Sequence, residues 1–327
     1  MSSTYTRMAE TYEAIFPAMR LFAADAVSLA PPITEKSVVH DNGCGPGIVT
    51  AEILSRHQRR PSLDHQHQKP LLQQTWQRPR RRSQQQAHHQ TGHPRDAPRI
   101  EATDISPVMV SAAARRGAAV RSQVMDSREL FGFDDAVFTH SFSNFVVLGM
   151  SEADTARVVS EMRRTLKPGG VAVLTAWRAL GYLDVFEQVA ARQMAASSSE
   201  ASLQSNMGSN HDRSPPSQQR HRSVDTREAV LTERQLRLAL ELGGFPVSGK
   251  ASAPVELRSV TRALPWAIWT NEAYAPIRRS MCDGYTRGWS RVDTDRLDAA
   301  FAERVARLAE EGASYRVTAW IAVMKKA

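Results

Sequence analysis

Asp41, Gly43, Gly45 and Gly47 occupy alternate positions in VVHDNGCGPG (38–47), an acid followed by three glycines that close an apolar run. Backbone without Cβ at every second position lets a ligand lie directly on the chain. The spacing predicts a nucleotide-like ligand on residues 41–47, with Cys44 part of the same turn. Neither register of a dinucleotide GxGxxG fingerprint fits, because glycine would be needed at Ile48 or Thr50. The Gly-Lys-Ser/Thr of a P-loop is absent too, and Pro46 has no N–H to offer a phosphate. The turn therefore suits a ligand less charged than a polyphosphate.

Strand and helix patterns alternate along the chain, as a parallel sheet with crossover helices requires. SVVHDN (37–42) reads as a strand and GIVTAEILSR (47–56) as the helix after it. RIEATD (99–104) is a strand ending in Asp104, followed by the helical SPVMVSAAARRG. AVRSQVMD (119–126) is a third strand, ending in Asp126, and the buried, aromatic FTHSFSNF (138–145) is a fourth. Ser151 and Asp154 form a capping-box start for the next helix, LKPGG (166–170) breaks it, and VAVLTAW (171–177) is the fifth strand. TERQLRLALELGGF (232–245) reads as a helix with strand material after it, and YRVTAWIAVMKK (315–326) as a closing strand. Open α/β sheets take ligands outside the carboxyl ends of their strands, which is where Asp104, Asp126 and Asn144 fall.

The 327 residues are 42% hydrophobic, enough to bury a full core. MSSTYTRMAE lacks the apolar region of a secretion signal, and no run approaches the ~18 apolar residues of a spanning helix. A soluble, cytoplasmic protein without a membrane span is expected. Two cysteines, Cys44 and Cys282, are too few for a disulfide framework or a Cys-based zinc site. No metal is expected: the histidines have no acids at ligand spacing.

Net charge is +8, but six of those charges lie in the 36 residues Gln58 to His93, which carry ten Gln, five His and almost no aliphatic periodicity. Ser197 to Ser223, with nine Ser and Pro215-Pro216, reads as a flexible loop. The expected organisation is an N-terminal helical segment (1–36) and one domain (37–327). Low-complexity stretches interrupt that domain at 58–93 and 197–223, and an aromatic cap is inserted at 262–290. No specific nucleic-acid partner is expected, because most of the net positive charge lies in the insertion.

The chain resembles class I S-adenosylmethionine-dependent methyltransferases, whose turn has the form (D/E)xGxGxG; Asp41 to Gly47 match every defined position. LKPGG before an apolar strand is a further landmark of that family. LFGFDDAVFTHSFSNF (130–145), TAW (175–177) and ELGGF (241–245) are similar to ubiquinone/menaquinone-type members found in fungal natural-product pathways. The resemblance implies a Rossmann-like seven-stranded α/β sheet with helices on both faces, a small helical and aromatic cap, and S-adenosylmethionine as cofactor. It assigns the ribose to Asp104, whose carboxylate can accept from two adjacent hydroxyls, and the adenine edge to Asp126 with the N–H of Ser127. Ile105 and Met109 would sandwich the adenine or pack under it. In the family the second acid follows the last glycine by about twenty residues. Asp104 follows Gly47 by 57, and by 21 once residues 58–93 are set aside, so that segment is expected to be extraneous to the fold, either a tolerated surface insertion or translated non-coding sequence.

A methyl on a sulfonium is already activated, so the protein must chiefly place the acceptor in line and exclude water. No obligatory base follows. His140 is the one weak candidate, early in its strand where a core histidine is the commoner outcome. The acceptor pocket is expected from the added segments. Tyr12 belongs to the N-terminal stretch with Tyr5, Met8, Ile15 and Met19 at helical spacing broken by Pro17, and Trp266, Trp269, Tyr274, Tyr285 and Trp289 belong to the cap. Such a lining implies a flat, largely apolar small-molecule substrate, unless the rings simply bury the cap's own core. A second class of function stays open: the fold as a binding scaffold without catalysis, its basic insertion contacting a polyanion.

Overall fold

The computed structural model describes residues 17–58, 97–205, 230–247, 255–286 and 290–327, with only the backbone course given for 197–205. Seven strands form one sheet: β1 (Val38–Asn42), β2 (Arg99–Asp104), β3 (Val120–Val124), β4 (Phe138–Asn144), β5 (Leu166–Leu180), β6 (Glu256–Pro265) and β7 (Ser314–Lys325). Their order is β3-β2-β1-β4-β5-β7-β6. The first five are parallel, and β7 runs antiparallel to both of its neighbours. Strand order reverses between β1 and β4, which opens a crevice at their carboxyl ends.

The period-2 pattern of β5 feeds two cores. Val171 and Val173 join Val39, Ile100 and Phe142 on one face, while Ala172, Leu174 and Ala176 join the other. Over the first face lie α1 (Pro17–Leu29) and α2 (Ile48–Gln58), which contribute Phe22, Ala26 and Ile53. α5 (Gly181–Ser205) and α8 (Arg291–Glu310) add Phe186, Phe301 and Val305 to the same core. α3 (Pro107–Ala114) packs along β2 and β3. Over the second face lie α4 (Glu152–Thr165) and α6 (Glu233–Leu242), through Val158, Val159, Met162, Leu236 and Leu240. Ser151 Oγ accepts from Asp154 N at 3.0 Å and starts α4. At its other end Lys326 Nζ donates to Leu166 O at 2.6 Å and Arg164 O at 3.2 Å, a cation on the negative end of the helix.

Two short 3₁₀ turns (Trp266–Thr270 and Glu272–Tyr274), α7 (Ala275–Tyr285) and α8 fill the connection from β6 to β7. Pro265 pairs with Ser314, and Leu180 with Val317, so this connection sits at the end of the sheet where the parallel strands finish. Among the described residues no helix is long and apolar enough to cross a membrane.

Several expectations change. α1 begins at Pro17, where the first turn of a helix needs no N–H, and the spacing expected before it lies outside the described residues. The Ser-rich stretch is helical as far as Ser205, as the end of α5; its remainder to Ser223 lies outside the described residues, as does 59–93. β6 runs through Pro265, so the cap begins at Trp266 and not at 262. Residues 291–310 receive no element from the reading above, yet Thr294, Leu297, Phe301, Val305 and Leu308 recur every three or four positions and bury one face of α8.

Candidate active site

Gly43, Gly45 and Gly47 all adopt positive φ, +70°, +53° and +82°. They are not equivalent. A Cβ on Gly43 would stand 2.3 Å from Val146 Cγ2, and one on Gly47 3.0 Å from Arg116 Cγ and 3.2 Å from Ala113 Cα; a Cβ on Gly45 would meet nothing within 4 Å. Two of the glycines thus let the turn pack against the protein, and the third leaves an open face.

The acids fix the turn from both sides. Asp41 is buried, and its Oδ2 accepts from Thr50 N at 3.0 Å and Thr50 Oγ1 at 2.7 Å, tying the first turn of α2 to β1. Burial raises its pKa to about 6 against the pull of the Thr50 bonds. Asp104 Oδ2 accepts from Gly45 N at 2.9 Å and Oδ1 from Ser106 N at 2.9 Å. Burial raises its pKa as well, and those two N–H groups oppose the rise. Each carboxylate oxygen carries two lone pairs, so each oxygen of Asp104 keeps an acceptor position for a ligand hydroxyl. Cys44 contributes backbone only. Its thiol is buried against Ala102 and Ala113, donates to Gly45 O at 3.3 Å, and has its pKa pushed well up by burial.

Met125 N donates to Asp104 O at 3.0 Å, which carries the β3 tip alongside that of β2. Asp126 is held by Arg128: Oδ1 accepts from Arg128 N at 2.9 Å and Nε at 3.0 Å, Oδ2 from Nη2 at 2.6 Å. These bonds lower the Asp126 pKa. Ser127 is buried beside it. The two aliphatics expected around adenine separate: Ile105 is 66% exposed, open to a ring, whereas Met109 is 3% exposed and belongs to the core under α3. On β4, Asn144 Oδ1 accepts from Thr175 Oγ1 at 2.8 Å. The next residue, Phe145, has φ +59°, a left-handed conformation that costs a residue with a Cβ about 1 kcal/mol. It is kept there by Thr175, whose Oγ1 and main-chain O accept from Phe145 N at 3.0 and 3.2 Å, and by stacking on Trp177 at 3.9 Å.

His140 does not join this group. It lies four residues before Asn144, about 13 Å down a strand rising ~3.3 Å per residue, buried and bonded at Nδ1 to Thr139 Oγ1. The cap aromatics pack on one another: Trp269 lies 4.9 Å from Tyr182, 5.3 Å from Tyr274 and 5.8 Å from Phe301, Trp266 lies 4.8 Å from Tyr315, and Tyr285 lies 5.4 Å from Phe186. Trp266 and Trp269 are each 3% exposed, so in this conformation they form the cap's core and not an open pocket wall. Tyr12 and Trp289 lie outside the described residues. Sequence reasoning missed Thr50, Arg128, Phe145 and Thr175. It also missed Glu161 and Arg164, which clamp the 130–135 loop to α4: Glu161 Oε2 accepts from Leu130 N at 2.7 Å, and Arg164 donates to Leu130 O and Phe133 O at 2.9 Å. Only Thr50, at the third position of a helix after an acid, carried a local signal.

Sheet order, switch point and glycine turn define a Rossmann-like methyltransferase fold, and the arrangement suits an adenosyl group: an open-faced glycine, acceptor positions on Asp104, an exposed aliphatic after it and a second acid at the neighbouring tip. Residues 83–174 match the methyltransferase domain family, and S-adenosylmethionine is the cofactor of such a domain. The fold is similar to that of Haemonchus contortus phosphoethanolamine N-methyltransferase 2 with S-adenosyl-L-methionine (15% identity, TM-score 0.47, 98% of this chain and 57% of that one). A second structure named for that methyltransferase, with phosphomonomethylethanolamine and S-adenosylhomocysteine, gives 13% identity, a TM-score of 0.44, and 94% and 52% coverage. The YcgJ protein of Bacillus subtilis gives 12%, 0.45, 94% and 97%. The chain thus spans little more than half the length of the two Haemonchus contortus structures. No curated protein matches it in sequence.

Proposed function

We propose that the protein transfers a methyl group from S-adenosylmethionine to oxygen or nitrogen of a small, largely apolar acceptor, an aromatic or a polyketide- or peptide-derived natural product, in the cytoplasm. The observation that carries this reading is Asp104 bonding Gly45 N across two strands beside an open-faced turn. The cofactor, when bound, supplies a methyl already activated on sulfur. Gly45 and Asp104 would hold its adenosyl part, Ile105 and Asp126 its base, and the amide of Asn144 would face the crevice between the β1 and β4 tips. The similarity of 130–145 to ubiquinone/menaquinone-type enzymes of fungal pathways supports the same substrate class.

Incubating the protein with methyl-labelled donor and a small-molecule extract of the producing cells tests this: a discrete labelled compound of low mass is the expected product. Label in macromolecules alone would overturn the small-molecule reading. Salt-dependent binding of arbitrary nucleic acid with no transfer would instead favour the scaffold role of the basic segment.

A further inference from the structure

We propose that Arg128 is the residue that makes this site select a 6-amino purine, by fixing Asp126 as an acceptor with a single open position. The inference rests on the cofactor reading above. Arg128 follows Asp126 by two residues and folds back onto it with its main-chain N, Nε and Nη2, at 2.9, 3.0 and 2.6 Å; Nε lies a further 3.2 Å from Oδ2. A carboxylate offers about four lone-pair sites. Oδ1 accepts from Arg128 N and Nε, and Oδ2 accepts from Nη2 and, at 3.2 Å, from the same Nε–H, which the two oxygens share.

The one acceptor position without a donor of its own is therefore on Oδ2, its direction set by a planar fork that cannot rotate without breaking three bonds. An exocyclic amine can donate to that site; a keto oxygen facing the same lone pair cannot bond and is repelled. The fork is braced in turn. Arg128 Nη1 lies 3.5 Å from Asp154 Oδ1 in the first turn of α4, and Asp154 N is itself bonded to Ser151 Oγ. The contact chain therefore runs from the start of α4 through Arg128 to the tip of β3. Asp126 is kept ionised by the same bonds, so it has no proton to offer a keto group. Arg128 acts through Asp126 and is a positioning residue.

The test is calorimetric titration of the full-length protein with S-adenosylhomocysteine and S-inosylhomocysteine, which differ by amine against keto at position 6. The wild type is expected to prefer the adenosyl form at least tenfold. In Arg128→Ala the preference should collapse to about two- or threefold, with Arg128→Lys, which keeps charge but loses the fork, nearer Ala than wild type. Asp126→Asn should abolish the effect of Arg128→Ala when the two are combined. A wild-type preference retained in folded Arg128→Ala, or equal weakening of both ligands, overturns the proposal and leaves Arg128 a structural residue. Failure of the wild type to take up either ligand removes the cofactor reading itself, and this inference with it.

Discussion

Gly45→Ala separates ligand contact from folding. The substitution adds one Cβ to a residue at φ +53° with nothing within 4 Å. Left-handed backbone costs an L-residue about 1–2 kcal/mol, and the restricted unfolded chain returns roughly 0.4–1. The net loss is about 1 kcal/mol, a fall in Tm of about 2 °C for a chain of this size. Folding is therefore retained. If the adenosyl group lies on the open face, the new methyl occupies contact space and S-adenosylhomocysteine should bind at least tenfold more weakly, about 1.4 kcal/mol. Gly43→Ala is the control. Its Cβ would collide with Val146 Cγ2 at 2.3 Å, an overpacking loss of about 1–3 kcal/mol, partly restored by Val146→Ala. Thermal melts and calorimetry on the same preparations read both effects. A folded Gly45→Ala whose affinity stays within twofold of wild type would refute the placement of the ligand on that face.

Two further outcomes follow from the same geometry. His40 is fully buried, and burial lowers its pKa to about 3 from 6.5. Its contribution to stability is complete above pH 6.5 and lost as pH falls towards 3, about 2 kcal/mol by pH 5. Asp41, raised to about 6, works in the opposite direction by about 1 kcal/mol over the same range. Urea midpoints of His40→Leu should therefore fall less between pH 7.5 and pH 5 than those of the wild type; parallel curves would show that His40 is solvated. Deleting 59–93 should leave the melting transition and S-adenosylhomocysteine binding within about 1 kcal/mol and threefold, since loop length enters stability only logarithmically; loss of either would make the segment part of the fold.

The parts of the site that lie close in sequence were legible. Alternate glycines, acids at strand ends and the LKPGG break announced a parallel sheet, and the first five strands pair in parallel. What could not be read is what depends on neighbours distant in the chain. Nothing near Gly43 reveals that Val146 fills the space its missing Cβ leaves, and nothing near Phe145 reveals that Thr175, thirty residues on, holds its left-handed backbone. Met109 and Ile105 are both aliphatic and four apart, yet helix direction buries one and leaves the other open. The cap aromatics signalled an apolar element, but whether they wall a pocket or pack together depends on Tyr182, Phe301 and Tyr315 from three other elements. Helix α8 escaped although its periodicity is plain, because its polar face masks the apolar stripe in composition.

The most direct measurement is calorimetry of S-adenosylhomocysteine binding to the wild type and to Asp104→Ala. Saturable one-site uptake by the wild type is expected, weakened at least tenfold in the variant, since charge-assisted hydrogen bonds contribute about 1.5–3 kcal/mol. Equal binding by both proteins, or no heat from folded wild type, would contradict the assignment of this crevice to an adenosyl sulfonium.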